Sequence, residues 1–107
     1  MRFADRDCLS VQVTENFQER NRGLLALEAL TQGQGLLITP CRSVHTFGMS
    51  YVLDLVYLNK SLKIVKIIKN IVPNRMSIAL FAHSTLELKS GEVQRLDLKL
   101  GMQLIIH

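Results

Sequence analysis

The residues best suited to chemistry lie together in one apolar stretch, residues 40–58. Cys41 or Ser43 could act as a nucleophile if His45 lay beside it and Asp54 oriented the imidazole ring. Such an arrangement normally comes with a strand-turn-helix elbow and a glycine-rich oxyanion loop. The stretch has neither pattern. We therefore predict no catalytic residue and keep a hydrolase that uses these side chains as an alternative.

The same side chains could also bind a metal, with His83 as a further ligand. Structural zinc sites usually take four Cys, His or carboxylate ligands in closely spaced pairs. Cys41 and His45 form one such pair, but no second pair follows in the sequence. We predict no metal and no other cofactor. A metal-binding protein is kept as an alternative, together with the hydrolase.

Asp54 stands out because its neighbours on both sides are apolar. Residues 53–58 read as a strand in which Leu53, Leu55 and Tyr57 share one face and Asp54 lies on the other. Both faces are apolar apart from the carboxylate, which indicates a central strand covered on both sides. A charge there must be paired or point into a wet cavity. We favour a structural Asp paired with backbone N–H groups, a His or an Arg.

Glu87 lies in another alternating segment, and it shares a face with Thr85 and Lys89. That pattern indicates a solvated strand face. An ion pair of Glu87 with Arg22 or Arg42 is a second interpretation, which spacing alone does not decide.

The net charge of +4 is concentrated in one part of the chain, because no acidic residue lies between Asp54 and Glu87. Lys63, Lys66 and Lys69 lie in this interval. Such a stripe could bind an anion or a nucleic acid. Lysines also occur on solvated edge strands, where they block unwanted pairing. We favour the edge, because no aromatic residues are interleaved for base stacking.

The composition indicates one globular domain over residues 1–107, with 48% hydrophobic and 21% charged residues. The first residues are charged where a signal peptide would be apolar, and no run is long enough to span a bilayer. We therefore predict a cytoplasmic protein without a membrane span. In that compartment Cys8 and Cys41 are expected to be reduced, with Cys41 substantially buried.

The local patterns predict many short strands and one early helix. The helix is predicted over residues 15–22, with Thr14 as its N-cap. Residues 59–61 read as a hairpin connection and residues 74–83 as a loop with apolar anchors at Met76, Ile78, Leu80 and Phe81. Strands are predicted at residues 8–14, 35–39, 53–58, 62–72, 84–89 and 102–106. This is a mainly β, β-rich α+β chain: a compact antiparallel sandwich or barrel with one short N-terminal helix.

Several pieces, in order, make the chain similar to a known family. They are RGLL at 22–25, GLLI at 35–38, VHTFGM at 44–49, Asp54, Pro73, LELKSG at 86–91 and Gly101. Together they resemble the uncharacterised family called domain of unknown function 192. The resemblance implies a compact, mainly β fold and no established catalytic activity. The chain departs from the family pattern at Leu25, Gly48 and Met102, so a pocket here would differ in shape from that of its relatives.

These observations predict a non-enzymatic binding or accessory module. The ligand would be a small molecule or a protein partner, with nucleic acid disfavoured. A concave apolar pocket with a few polar groups is the default ligand site. The candidate ligand-binding residues are His45, Phe47, Met49 and Asp54, with Cys41, Glu87 and Arg22 nearby.

Overall fold

A computed structural model describes residues 2–3, 9–14, 30–46 and 51–105 of the chain. Most regular structure in these residues is β. The strands are β1 (Arg2–Phe3), β2 (Ser10–Thr14), β3 (Gln34–Ile38), β4 (Ser43–His45), β5 (Leu53–Leu58), β6 (Ile64–Ile71), β7 (Met76–Ile78), β8 (Ser84–Lys89) and β9 (Leu104–Ile105). One short helix, α1 (Glu92–Arg95), follows β8. No helix in the described ranges is long and apolar enough to cross a bilayer.

Five strands form the main sheet in the order β2-β3-β8-β5-β6. Its inner strands are β3, β8 and β5. β5 and β8 run antiparallel, with Asp54 opposite Leu88 and Leu55 opposite Glu87. All six residues of β5 are buried, which confirms the prediction of a central strand covered on both faces. β8 is buried over five of its six residues for the same reason.

The expectation of an antiparallel barrel is wrong in two respects. β2 and β3 run parallel, so the sheet is mixed. Residues 15–33 between them are numerous enough for the crossover that parallel strands require. Among the described strands the sheet is also open, with β2 and β6 at its edges. Two small sheets, β1-β9 and β4-β7, accompany the main sheet. The sandwich stays a prediction.

The hairpin between β5 and β6 confirms the turn predicted at residues 59–61. The Asn59 Oδ1 atom accepts hydrogen bonds from the N–H groups of Ser61 at 2.9 Å and Lys63 at 3.0 Å. An Asn side chain that bonds to the following backbone holds the chain in a tight turn. The next residues form β6, as predicted, in agreement with their many β-branched side chains.

The main sheet separates two apolar layers, and the alternation along β5 assigns its residues to them as predicted. The helix-side layer includes Val56 and Leu58 together with Val93 and Leu96 from the α1 region. The other layer, here called the β4-side layer, contains Val44, Leu53, Leu55, Tyr57, Ile71, Ala79 and Ala82. Side chains one residue apart on β5 therefore have different surroundings.

Other predicted elements are corrected or lie outside the described residues. The final strand is shorter than residues 102–106. The predicted loop at 74–83 contains β7, and its four expected anchors are exposed, while Ala79 and Ala82 are buried instead. The helix predicted over 15–22, its cap at Thr14 and the thiol of Cys8 lie outside the described residues or side chains.

Candidate functional site

Glu87 lies in the middle of β8, in register with Leu36 of β3 on one side and Leu55 of β5 on the other. Its side chain is 0% exposed. Neither carboxyl oxygen has a hydrogen-bond partner among the residues that the structure describes. The prediction of a solvated strand face is therefore wrong. It failed because β8 is an inner strand, and both of its faces are covered by apolar layers.

Burial has a direct electrostatic effect on this carboxyl group. Removal from water disfavours the ionised form and raises the pKa of Glu87 from its ordinary value of 4.5 to about 8. Glu87 is therefore mostly a neutral carboxylic acid at pH 7. In that form the group offers one O–H donor and a carbonyl acceptor.

Two tyrosines lie close enough to feel the charge of Glu87. Burial raises the pKa of Tyr51 to about 12, and Glu87 adds to the effect. Tyr57 is wholly buried, and burial is also the main cause of its raised pKa. The nearby Ser77 hydroxyl opposes that shift. The two hydroxyls lie near each other, and neither meets a hydrogen-bond partner elsewhere in the described part of the chain.

Three half-buried side chains lie over this part of the β4-side layer: Leu30, Cys41 and Tyr51. Each packs both against the pair Leu36 and Ile38 of β3 and against the cluster of the β4-side layer. We call Leu30, Cys41 and Tyr51 the cover. The cover is only half-buried, so these three side chains are partly open to solvent.

Cys41 is held by two hydrogen bonds, one within its own segment and one from β8. Its thiol donates to the Ser43 carbonyl oxygen at 3.0 Å, and the Thr85 hydroxyl donates to the Cys41 carbonyl oxygen at 3.1 Å. The thiol is free, as predicted. It is half-buried rather than substantially buried, which corrects the expectation.

Asp54 belongs to a different environment from Glu87. Its Oδ1 atom accepts a hydrogen bond from the Asn70 N–H at 2.9 Å. Its Oδ2 atom accepts from the N–H groups of Gly91 at 3.1 Å and Val93 at 3.0 Å. The partners are thus backbone N–H groups, one of the options predicted for it. They join β5 to β6 and to the start of α1, on the helix-side layer.

The structure does not bring the predicted site residues together as one group. Cys41 and Glu87 share the β4-side layer, whereas Asp54 lies on the other face of the sheet. His45 ends β4, where Val44 packs into the β4-side layer, so alternation turns the imidazole to the opposite side of the strand. This separation leaves Asp54 unable to orient His45 for attack by Cys41.

The remaining predicted residues give no further members of the site. Phe47, Met49 and Arg22 lie outside the described residues. Arg42 is exposed and makes no hydrogen bond to Glu87. No group of three or more His, Cys, Asp or Glu side chains within the described ranges is arranged to hold a metal ion.

Sequence reasoning missed both tyrosines. Tyr57 could have been found, because it alternates with Leu53 and Leu55 on a face predicted to be covered, and a buried hydroxyl needs a partner. Tyr51 gives no such signal, because it precedes the strand and only the tertiary fold brings it over β3.

The fold and the site together define a small, mainly β domain with an open mixed sheet and a buried acid on an inner strand. The profile of the family called domain of unknown function 192, described as an uncharacterised ACR, matches residues 2–106. The chain belongs to this family, which confirms the resemblance seen in its motifs.

Two solved structures share the fold. A protein of unknown function from Novosphingobium aromaticivorans matches with a TM-score of 0.76 and 20% identity, covering 89% of this chain and 73% of that one. A candidate transcription regulator from Sinorhizobium meliloti matches with a TM-score of 0.77 and 22% identity, covering 89% and 79%. None of the curated proteins matches the chain. At such identities the likeness concerns the fold alone.

Proposed function

We propose that the chain is a single-domain, non-enzymatic binding module whose ligand pairs with the carboxyl group of Glu87. One observation carries the proposal. Glu87 is fully buried in an apolar layer, and both of its oxygens lack a hydrogen-bond partner among the described residues. A small molecule that supplies those partners would complete the site.

A buried polar group without a hydrogen-bond partner destabilises the folded protein. Buried polar atoms are nearly always hydrogen-bonded, and leaving one unsatisfied costs about 1–3 kcal/mol. The other buried glutamate, Glu92, is fully satisfied: it accepts from the Gly33 N–H at 2.9 Å and from Arg95 at 2.5 and 2.8 Å. Arg95 accordingly lowers the pKa of Glu92. Groups held at the expense of stability are typical of binding sites.

The state of Glu87 indicates the class of ligand. A neutral carboxylic acid presents a donor and an acceptor side by side, which is complementary to the edge of a carboxamide or a lactam. The surrounding Leu36 and Leu55 side chains favour an apolar body on the same ligand. The hydroxyl of Tyr57 offers one more polar contact in this layer. The ligand class is therefore a small apolar amide or lactam, which would enter by displacing part of the cover.

The test uses ligand-observed NMR with benzamide, 2-pyridone and the cation benzamidine as probes. Benzamide or 2-pyridone should bind to the wild type and to Glu87→Gln, whose amide keeps a donor and an acceptor. Binding should be lost in Glu87→Leu, which removes the polar edge. Affinity for the wild type should also fall as pH rises through about 8, because the donor proton is lost.

Other outcomes would count against the proposal. Equal binding to Glu87→Leu would place the ligand elsewhere. Preference for benzamidine, with release of a proton, would mean that the site takes a cation in place of an amide. Absence of binding by all three probes would remove the support for a ligand at Glu87. Leu100→Ser, at an exposed position, is the control for nonspecific effects of substitution.

A further inference from the structure

A second feature lies outside the Glu87 layer: an apolar strip along β7 and the turn that follows it. Met76 is 63% exposed, Ile78 50%, Leu80 73% and Phe81 89%. We call these four residues the 76–81 strip. On β7 the inward position belongs to Ser77, and alternation turns Met76 and Ile78 outward. A cluster of large apolar side chains left in water is typical of an interaction surface.

The end of the strip forms one wall of a cleft of about 710 Å³. Leu80 and Phe81 contribute the apolar wall. Most of the other lining residues come from two connections, the segment after β3 and the β5–β6 turn. The lining residues are Pro40, Cys41, Arg42, Asn59, Lys60, Ser61, Leu80, Phe81, Ala82 and His83. A concave surface of this size can take an inserted side chain with its neighbouring backbone.

The charges around the cleft have one sign. Arg42 and Lys60 are exposed on its lining, and no described residue that lines it carries a carboxylate. Arg75, which precedes β7, is exposed as well. The chain has no acidic residue between Asp54 and Glu87, so neither the β5–β6 turn nor the connection from β7 to β8 offsets these cations. The complementary partner is therefore acidic.

We propose that the cleft and the 76–81 strip together dock an acidic segment of a partner protein, with an apolar side chain inserted against Leu80 and Phe81. The cleft shares Cys41 with the cover of the Glu87 site, but the 76–81 strip lies outside that site and the proposal does not depend on its ligand. The inserted side chain would bury the exposed ring of Phe81, while carboxylates on either side would meet Arg42 and Lys60.

The shape of the surface distinguishes this occupant from others. The strip continues past the cleft to Met76, so it is longer than a small ligand would need. Leu80 and Phe81 belong both to the strip and to the lining of the cleft, so one partner can cover the strip and enter the cleft together. A second copy of this chain, with its net charge of +4, is a poor match for a basic surface. A chain segment that alternates acidic and apolar residues fits each of these features.

The experiment is selection of peptides from a random displayed library on the wild-type protein. The enriched peptides should carry net negative charge and one aromatic or aliphatic anchor. Their affinity, measured by fluorescence polarisation, should fall roughly tenfold or more in Phe81→Ser, as at a hot-spot residue. Lys60→Gln and Arg42→Gln should weaken binding mainly at low salt, because exposed charges are screened.

Matched controls come from the opposite end of the chain. Leu100→Ser removes another exposed leucine, and Lys99→Gln an exposed cation, both outside the cleft. Neither should change peptide affinity. Enrichment of basic or neutral peptides, or of none, would overturn the proposal. So would tight binding to anionic phospholipid vesicles that is lost in Phe81→Ser, or a wild-type dimer that becomes monomeric in that variant.

Discussion

Asp54 and Glu87 lie on adjacent inner strands, one register position apart, and their side chains enter opposite faces of the same sheet. Both are buried, with 1% and 0% of the side chain exposed. Asp54 accepts three backbone hydrogen bonds, whereas Glu87 has no partner among the described residues. The two carboxyl groups should therefore respond in opposite ways to substitution.

Replacement of Asp54 should destabilise the fold. Asp54→Ala leaves the N–H groups of Asn70, Gly91 and Val93 without their acceptor, and we expect a loss on the order of 3–5 kcal/mol in the free energy of unfolding. Asp54→Asn keeps one acceptor oxygen and should cost clearly less. Urea denaturation of the wild type and both variants measures the difference.

The control is Asp97→Asn, an exposed position that should change stability by no more than about 0.5 kcal/mol. If Asp54→Ala denatured with the wild type, Asp54 would not be the structural link between β5, β6 and α1.

Two leucines provide a matched test of the core. Leu55→Ala removes a wholly buried side chain from the β4-side layer and should cost about 2–5 kcal/mol. Leu80→Ala removes an exposed side chain and should stay within about 0.5 kcal/mol. Thermal or urea denaturation of the two variants and the wild type measures these losses of stability. A large loss in Leu80→Ala would restore its role as the loop anchor that the sequence predicts.

Lys66 and Lys69 of β6, and Lys63 just before it, should not behave alike. The Lys66 Nζ atom donates to the Ile78 carbonyl oxygen at 2.7 Å and ties β6 to β7. Lys66→Gln should therefore cost about 0.5–1.5 kcal/mol, whereas Lys63→Gln and Lys69→Gln, both at exposed positions, should cost less.

The same three variants test the nucleic-acid alternative. We expect no specific complex in a gel-shift assay at low salt. A complex that weakens as the three lysines are replaced together, with a reduced salt dependence, would instead assign this strand to an anionic polymer.

The sequence was sufficient to predict β5 and β8, because β5 is a short apolar run interrupted only by Asp54, and β8 alternates Leu86 and Leu88 with polar residues. Asn59 indicated the hairpin between β5 and β6 equally well. What alternation does not contain is the order of strands in the sheet. Glu87 looks solvated when β8 is viewed alone, and it becomes buried only because β3 and β5 flank it.

The irregular segments were harder to predict for a different reason. Met76, Ile78, Leu80 and Phe81 are apolar and lie in a predicted loop, so burial was the natural expectation. The small residues Ala79 and Ala82 fill the interior there instead, since the connection passes close over the core. The sequence predicts that Asp54 has a partner. It does not identify the donors, because they belong to residues distant in sequence that only the fold brings close.

The sharpest prediction concerns the pH dependence of stability that Glu87 creates. Its pKa is about 8 in the folded protein, against an ordinary value of 4.5. Below pH 4.5 the carboxyl group is protonated in both states and costs no ionisation energy. Between the two values the unfolded chain loses this proton while the folded protein keeps it, so stability falls as pH rises. Above about pH 8 both states are ionised and the loss is complete.

The variant for comparison is Glu87→Gln, which has a similar shape and does not titrate. Relative to it, the wild type should lose up to about 1.4 kcal/mol per pH unit within this window, several kcal/mol in all. Parallel urea denaturation of both proteins from pH 4 to about pH 9 measures the difference, and other titrating groups cancel because the two chains share them. Stability curves that stayed parallel across the window would mean that Glu87 is already ionised and paired in the folded protein. In that case another residue of the chain would already pair with Glu87, and an amide ligand would find no unsatisfied carboxyl group there.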